Sequence, residues 1–283
     1  MEYLKHRGVK IPLIGIGTFG LGFNANNSAT EENTVRTAIE TFGMTLIDTA
    51  ESYGDGVSEL FLSGIIKDYP RENLFIVDKI HPENAEKNAY SDSCRRSLDR
   101  LGIASIDLYL LHWREDLELG RVADNMEELV RKGLIKHWGV SNFDTDDMTE
   151  LFDRDNGKNC FCNQILYNIA TRSPEYELIP WCKKNDVLVT AYSPLCHSNA
   201  RRLSVAQNPI VIDVAKRTGK TPESLMLSFI IGTSGVTTVF KTSDISRLEN
   251  NMQNVFSPIS DEDLNALSRV FKAPRKRTKL KTI

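Results

Sequence analysis

Residues 46–59 read LIDTAESYGDGVSE, a stretch in which a short apolar run ends in an acid and a glycine-containing loop follows. The acid is Asp48, and the loop presents one aromatic hydroxyl, Tyr53. A strand that ends in a carboxylate and leads through a loop into a helix is typical of sites built on βα loops. The stretch therefore predicts an α/β fold whose functional groups lie at the ends of its strands.

Strand and helix patterns alternate along the chain on both sides of this stretch. Several strands are continuous apolar runs, such as DLYLLHW at 107–113 and DVLVTAY at 186–192, as expected of strands covered on both faces. Eight strands are predicted, at 11–17, 45–48, 74–77, 106–111, 137–140, 161–165, 187–192 and 237–240. Helices are predicted at 31–42, 57–68, 90–101, 121–132, 145–152, 175–185, 209–218 and 223–231, with short additional helices near the C-terminus from 246 and over 261–271.

Eight βα units predict a single-domain α/β protein, a (β/α)8 TIM barrel over residues 1–283, with 272–283 as a basic C-terminal tail. Barrels of this type typically have about 250 residues, and no linker divides the chain. A doubly wound sheet is the second possibility, because GIGTFG at 15–20 matches the dinucleotide fingerprint G-x-G-x-x-G. That fingerprint has to open a helix directly, whereas about ten residues precede the first helix signal here, so the barrel is preferred.

Composition excludes several functional classes. The 283 residues carry a formal net charge of −3 with a pI near 6.0, which argues against nucleic acid as the main partner. No apolar run is long enough to cross a membrane and no signal peptide is present, so we expect no membrane partner and a cytoplasmic location. The basic tail is expected to be solvated, and the five cysteines lack metal-ligand spacing, so no metal is expected.

Polar side chains follow three successive predicted strands. Asp48 and Tyr53 follow the second strand, Lys79 the third and His112 the fourth, and strand ends in a barrel surround one mouth. A phenol whose pKa is lowered by an ammonium, a carboxylate that holds the ammonium and an imidazole that orients the substrate suit proton donation to a carbonyl oxygen. Since this chemistry needs no nucleophile and no metal set, the carbon must receive something from a cofactor, and hydride from a nicotinamide is the obvious choice.

These residues stand in motifs that resemble those of the aldo-keto reductases, (β/α)8-barrel enzymes that bind NADPH across the barrel mouth. The motifs are GIGTFG at 15–20, IDTAESYGDGVSE at 47–59, LYLLHW at 108–113, GVSNF at 139–143, NQILYN at 163–168, AYSPL at 191–195 and VFKTSDISRLENN at 239–251. The resemblance implies an NADP(H)-dependent oxidoreductase, with NADPH or NADP+ as cofactor. It further implies that the substrates are small aldehydes or ketones, which are reduced to alcohols.

By position, the resemblance implies a catalytic tetrad of Asp48, Tyr53, Lys79 and His112. Tyr53 would donate the proton, Lys79 and Asp48 would adjust the pKa of Tyr53, and His112 would orient the carbonyl. The implied cofactor-binding residues are Thr18, Phe19, Asp48, Ser141, Asn142, Gln164, Tyr192, Ser193, Leu195, Lys241, Thr242, Ser243, Arg247 and Asn251. The expected substrate pocket is formed by Phe19, Tyr53, His112 and Trp113.

The end of the eighth strand favours NADPH over NADH. Lys241 and Arg247 place two cations there, and such a pair suits the dianionic 2′-phosphate that NADH lacks. Three positions depart from the family pattern. Phe240 replaces a proline, Asn250 replaces an acid, and Asp78 replaces a threonine, although strand alternation should point Asp78 away from the site.

Two alternatives stay open at this point. A nicotinamide-binding regulatory or interaction protein, like the barrel-fold β subunits of potassium channels, could keep the same residues. An enzyme that acts mainly as a sugar or alcohol dehydrogenase would need them all, because the same groups serve both directions. The short segment after Tyr192 suggests an open pocket for small substrates, and the sequence does not determine the oligomeric state.

Overall fold

The computed structural model describes residues 1–283, and eight of its strands close into a parallel barrel. A hairpin of β1 (Tyr3–His6) and β2 (Val9–Pro12) precedes the barrel. The barrel strands are β3 (Ile14–Gly17), β4 (Leu46–Asp48), β5 (Phe75–Ile80), β6 (Ile106–Leu111), β7 (Ile135–Ser141), β8 (Cys162–Leu166), β9 (Leu188–Tyr192) and β10 (Val236–Phe240). They follow one another in sequence order, and pairing of Thr238 with Ile14 closes the ring. The predicted single-domain barrel is confirmed, and the doubly wound alternative is wrong.

Twelve α-helices connect or follow these strands. They are α1 (Ser28–Glu40), α2 (Val57–Ile66), α3 (Pro82–Glu86), α4 (Tyr90–Leu101), α5 (Leu119–Arg131), α6 (Thr145–Phe152), α7 (Leu178–Lys184), α8 (Asn199–Ala206), α9 (Pro209–Arg217), α10 (Pro222–Ile231), α11 (Ile245–Met252) and α12 (Asp261–Val270). Local signals fix many of their ends. Asp144, for example, caps α6 as predicted, in a capping box with Asp147. No helix is both long and apolar enough to span a bilayer.

The lower half of the barrel is filled by inward-facing apolar side chains. The cluster consists of Ile11, Leu46, Phe75, Val77, Leu108, Leu110, Phe161, Cys162, Leu188 and Val239. Ile11 comes from the N-terminal hairpin, which therefore plugs the bottom of the barrel. Gly15 is needed here because a Cβ at this position would lie 2.5 Å from Cγ of Leu46. This glycine of the apparent fingerprint thus serves strand packing, and α1 begins only at Ser28.

Several predicted elements differ from the observed ones. The first predicted strand is two strands, since the chain bends at Leu13, and the segment before it pairs as a hairpin. Helices α3 and α8 were not predicted, and α3 has only five residues. The predicted helix 175–185 starts later, at Leu178, which places Pro180 within the first turn where its missing N–H costs nothing.

The basic tail forms no helix or strand, but it is anchored to the barrel. Arg277 pairs with Asp146 at 2.7 Å and with Glu177 at 3.1 Å, and Leu280 packs against the core. The chain then reaches the mouth, where Ile283 lines the central cavity. Most of the tail is exposed, as expected of a solvated segment, and the ion pairs of Arg277 and the contact of Leu280 hold it against the barrel.

Asp78 points out of the barrel, as strand alternation predicts, into a buried layer between β5, α2 and α4. It has no exposed surface, and neither does Glu59 of α2. Oδ1 of Asp78 accepts the Lys79 N–H at 2.7 Å, and Oε2 of Glu59 accepts Nε of Arg100 at 2.7 Å. The remaining oxygens, Oδ2 of Asp78 and Oε1 of Glu59, have no other partner. Burial and the neighbouring Glu59 carboxylate raise the pKa of Asp78 well above its ordinary value, which favours a protonated Asp78.

Replacing Asp78 by asparagine is expected to stabilise the protein as pH rises. Above the pKa of the unfolded carboxyl, the native state holds a proton that the unfolded chain has released, so stability falls with increasing pH. The amide of Asp78→Asn needs no proton, and it can still accept the Lys79 N–H while donating to Glu59. We expect the free energy of unfolding to rise by on the order of 1–3 kcal/mol at pH 8, and less at pH 5.

Urea unfolding at several pH values from 5 to 9 measures this effect. Asp99→Asn is the matched control, because Asp99 is exposed on α4 and its carboxylate makes no hydrogen bond or ion pair. Parallel pH curves for the wild type and Asp78→Asn would show that Asp78 does not hold a proton in this range.

Candidate active site

The four residues of the predicted tetrad meet at the C-terminal mouth of the barrel. Asp48 ends β4, Lys79 lies near the end of β5, and His112 follows β6 directly. Tyr53 comes from the loop between β4 and α2. Asp48 pairs in register with Val77, so Lys79 lies two residues further along the neighbouring strand and points to the same inner face.

Lys79 is the buried centre of this group. Its Nζ donates to Oδ2 of Asp48 at 2.9 Å, to the Thr49 carbonyl at 2.7 Å and to the Tyr53 hydroxyl at 3.2 Å. All three ammonium hydrogens are thereby used. Burial disfavours the charged form, but Asp48 and Tyr53 outweigh it and raise the pKa of Lys79. Lys79 therefore stays charged next to the phenol.

Asp48 is held on both of its oxygens. Oδ2 accepts from Lys79, and Oδ1 accepts Nε2 of Gln164 at 2.7 Å. The backbone oxygen of Asp48 also accepts the hydroxyl of Thr18 at 3.1 Å. Gln164 and Thr18 were both predicted to bind cofactor; Gln164 also fixes the carboxylate of Asp48, and Thr18 fixes its backbone. A carboxylate bonded on both oxygens keeps its orientation.

The pKa of Tyr53 differs from the expectation. Burial of the phenol raises its pKa, Lys79 opposes this, and Asp48 adds to it, so that the net direction is upward. The predicted net lowering by the ammonium is wrong for the protein alone, since desolvation of the phenolate and the nearby carboxylate outweigh the lysine. Tyr53 consequently stays protonated well into the alkaline range.

His112, the fourth residue of the tetrad, is a neutral imidazole. Burial first, then the charge of Lys79 and the proximity of His81, lower its pKa to about 2. Its ring stacks on Trp113 with centroids 3.7 Å apart and lies 5.9 Å from the Tyr53 ring. Nδ1 is 3.4 Å from Oγ of Ser52. Because it is neutral, His112 can offer a hydrogen bond without supplying a proton.

Ser141 and Asn142, at the end of β7, form a network with Gln164 and Tyr192. Ser141 Oγ donates to the Gln164 carbonyl at 2.9 Å, and Tyr192 donates its hydroxyl to Oδ1 of Asn142 at 2.7 Å. Nδ2 of Asn142 donates to the His112 carbonyl at 3.1 Å. The side chains of Asn142 and Ser141 are therefore already bonded within the protein, and Oε1 of Gln164 is free to accept a hydrogen bond.

The predicted phosphate-binding residues lie at the end of β10 and on α11. Lys241 and Arg247 are exposed, and neither forms an ion pair with an acid of the chain. Thr242 is buried and accepts the Asp244 N–H at 3.2 Å, while Asn251 is buried without a side-chain partner in the chain. Two cations without counter-charges beside a free amide suit a phosphorylated nucleotide.

A cavity of about 690 Å³ at the mouth unites most of the predicted site. Its predicted lining residues are Thr18, Phe19, Asp48, Tyr53, His112, Trp113, Ser141, Asn142, Gln164, Tyr192, Ser193, Leu195 and Lys241. Lys79 lies beneath the floor with no exposed surface. The remaining predicted residues, on the β10–α11 segment beyond the cavity, are Thr242, Ser243, Arg247 and Asn251.

Sequence reasoning missed several lining residues, namely Ser52, His81, Cys196, His197 and Ile283. For two of these residues, the position in the sequence could have indicated a place in the cavity. Ser52 adjoins Tyr53, and His81 lies two residues beyond Lys79 just after β5, which extends to Ile80 rather than stopping at the predicted residue 77. The approach of Ile283 has no local signal, because it depends on how the tail folds back.

Comparison with known proteins agrees with this geometry. The model of the Aldo/keto reductase family matches residues 13–272. Methylglyoxal reductase YeaE of Escherichia coli (strain K12) is 35% identical over 272 residues, which cover 96% of this chain and 95% of that protein. A crystal structure of an aldo-keto reductase from Klebsiella pneumoniae in complex with NADPH has a TM-score of 0.94 and 36% identity over 100% of both chains. Another from the same organism, in complex with NADP and acetate, has a TM-score of 0.94 and 35% identity over 99% of both chains.

The match extends over nearly the whole chain, and the fold it predicts is the one observed. The chain therefore belongs to the aldo/keto reductase family of oxidoreductases.

Proposed function

We propose that the protein is an NADPH-dependent reductase of small aldehydes and ketones in which Tyr53 donates the proton. The observation that carries this proposal is the hydrogen bond from Lys79 Nζ to the Tyr53 hydroxyl at 3.2 Å, on the floor of the mouth cavity. NADPH, when bound, supplies the hydride that adds to the carbonyl carbon. Tyr53 protonates the carbonyl oxygen, and the charge of Lys79 stabilises the phenolate that remains.

The neutral state of His112 supports Tyr53 as the acid. A histidine with a pKa of about 2 carries no imidazolium proton to give near neutral pH. Lys79 has no hydrogen left for the substrate, because its three hydrogens are bonded to Asp48, Thr49 and Tyr53. The phenol is then the one acidic hydrogen of the tetrad that faces the cavity. His112 would orient the carbonyl oxygen by a hydrogen bond.

Cofactor choice follows from the charges at the end of β10. Lys241 and Arg247 would bind the adenosine 2′-phosphate, with Thr242, Ser243 and Asn251 close by on the same segment. Near the tetrad, Oε1 of Gln164 would accept from the carboxamide, and Tyr192 would stack on the ring. The structures of the Klebsiella pneumoniae relatives with NADPH and with NADP support this choice.

The reduction direction is favoured by the raised pKa of Tyr53. Alcohol oxidation needs the phenolate as a base, and burial disfavours the phenolate at neutral pH. The open cavity, with Phe19 and Trp113 at its walls, suits small carbonyl compounds. Dicarbonyls are included, because the relative YeaE is a methylglyoxal reductase. An intact proton-donating set also supports catalysis over a purely regulatory role.

Tyr53→Phe is expected to lower kcat for aldehyde reduction by about 10²- to 10⁴-fold, since it removes only the acidic hydrogen. NADPH oxidation with a panel of small aldehydes and dicarbonyls measures the rate, and fluorescence titration checks that NADPH still binds. Tyr176→Phe is the control, because Tyr176 is 49% exposed and its hydroxyl makes no hydrogen bond. Equal rates for Tyr53→Phe and wild type would contradict the proposed mechanism.

Arg247→Ala and Lys241→Ala are each expected to raise the KM for NADPH by about 10- to 100-fold, because each variant removes a charge-assisted hydrogen bond to the 2′-phosphate. The KM for NADH should stay unchanged, because NADH has no 2′-phosphate. Arg269→Ala removes an exposed cation from α12 and serves as control. An unchanged preference for NADPH in both variants would show that the 2′-phosphate binds elsewhere.

The two reaction directions are expected to depend differently on pH. Reduction should be nearly constant from pH 6 to 9, because Tyr53 stays protonated and His112 stays neutral throughout. Oxidation of the alcohol product should rise about tenfold per pH unit, since it requires the phenolate. Steady-state rates in both directions test this, and a loss of reduction between pH 6 and 8 would mean that another group titrates.

A further inference from the structure

Ser52 lines the mouth cavity but has no part in the proposed mechanism so far. It directly precedes Tyr53, and its Oγ lies 3.4 Å from Nδ1 of His112. This contact is the sole side-chain hydrogen bond of Ser52 and of His112 within the chain. The other ring nitrogen of His112, Nε2, has no protein partner. Ser52 is therefore the one residue that can bias the hydrogen position on the imidazole.

A neutral imidazole has one hydrogen to place. One ring nitrogen carries N–H and the other presents a lone pair, and the partner of the first nitrogen decides the role of the second. A carbonyl oxygen can only accept a hydrogen bond. His112 can orient a carbonyl only if the nitrogen directed to the substrate is the one that carries the hydrogen. With the hydrogen on Nδ1, Nε2 would repel the carbonyl oxygen.

We propose that Ser52 donates its hydroxyl hydrogen to Nδ1 of His112 and thereby holds the imidazole in the tautomer that carries hydrogen on Nε2. Ser52 is then a positioning residue that acts on the substrate through His112. The hydroxyl has no other acceptor within the chain, so donation to Nδ1 is its one protein hydrogen bond. This inference rests on the proposed reductase function, in which Nε2–H of His112 bonds to the carbonyl oxygen.

Among the neighbours of the imidazole ring, Ser52 is the one that distinguishes its two tautomers. Stacking on Trp113, at an interplanar angle of 15°, fixes the plane of the imidazole but is the same for both tautomers. Lys79 bonds to Tyr53 and not to the ring, and it contributes only its charge. The plane is thus set by an apolar contact and the tautomer by a serine hydroxyl.

Ser52→Ala is expected to lower kcat for carbonyl reduction by about 3- to 10-fold, because this factor corresponds to the free energy of one ordinary hydrogen bond. The KM for NADPH should not change, because the Ser52 side chain makes no hydrogen bond to any of the proposed cofactor residues. Ser52→Thr keeps the hydroxyl and should restore most of kcat. Ser63→Ala serves as control, since the hydroxyl of Ser63 on α2 bonds only to the Leu60 carbonyl. Unfolding curves verify that each variant folds.

A double-mutant cycle separates this role from a general effect on the loop. His112→Gln replaces the imidazole by an amide that has no tautomers. Adding Ser52→Ala to His112→Gln should therefore cost no further activity, whereas it costs 3- to 10-fold in the wild type. The same loss in both backgrounds would overturn the inference, because Ser52 would then act independently of His112.

Nitrogen-15 NMR of histidine-labelled protein reads the tautomer directly, with His112→Gln identifying the signals. We expect an N–H at Nε2 and a bare nitrogen at Nδ1 in the wild type, and a mixture in Ser52→Ala. Hydrogen on Nδ1 in the wild type would overturn the inference. Failure of the proposed function gives a different result, since the wild type would then not reduce the carbonyl panel while the spectrum still reports the tautomer.

Discussion

The buried ion pair between Lys79 and Asp48 is the interaction on which the rest of the site depends. Removing an ammonium and a carboxylate from water is costly unless each hydrogen-bonding position finds a partner. The barrel supplies the partners, because Nζ also bonds to Thr49 and Tyr53, and Gln164 takes the second oxygen of Asp48. Hydrophobic residues of similar size could fill such a space at no loss of stability. The pair is therefore better explained by the charge it holds beside the phenol than by stability.

Strand β5 carries two different solutions to buried charge on its two faces. Lys79 points inward and pairs with the counter-ion Asp48, whereas Asp78 points outward into a buried layer where its pKa is raised. The neutral form of Asp78 preserves the effect of the Lys79 charge on the other face. A fully ionised Asp78 directly behind Lys79 would compete for its positive charge and weaken its effect on Tyr53. The raised pKa of Asp78 favours the neutral carboxyl, so the field of the ammonium is directed to the phenol.

The sequence was sufficient for those features that repeat or that lie at strand ends. Eight apolar runs, each followed by helix signals, predict the barrel, and the barrel itself brings Asp48, Lys79 and His112 together. Features that depend on tertiary contacts were not predictable. The hairpin at Ile11 and the return of Ile283 to the mouth have no periodic signal. The upward pKa shift of Tyr53 was also not predicted, because it depends on how deeply the phenol is buried and not on which charges are near it in the sequence.

The site uses cations in two opposite environments, and this difference assigns their tasks. Lys241 and Arg247 are exposed and have no counter-ion in the chain, so a bound dianion can use their full charge and all of their hydrogens. Lys79 is buried, and its three ammonium hydrogens are bonded to Asp48, Thr49 and Tyr53, so it cannot donate a hydrogen bond to a substrate. In the proposed mechanism its charge can reach the reacting carbonyl only through the Tyr53 hydroxyl. Binding and proton transfer would thereby be separated, since the exposed cations proposed to attract the anion lie apart from the proton donor and the buried cation cannot bind the anion.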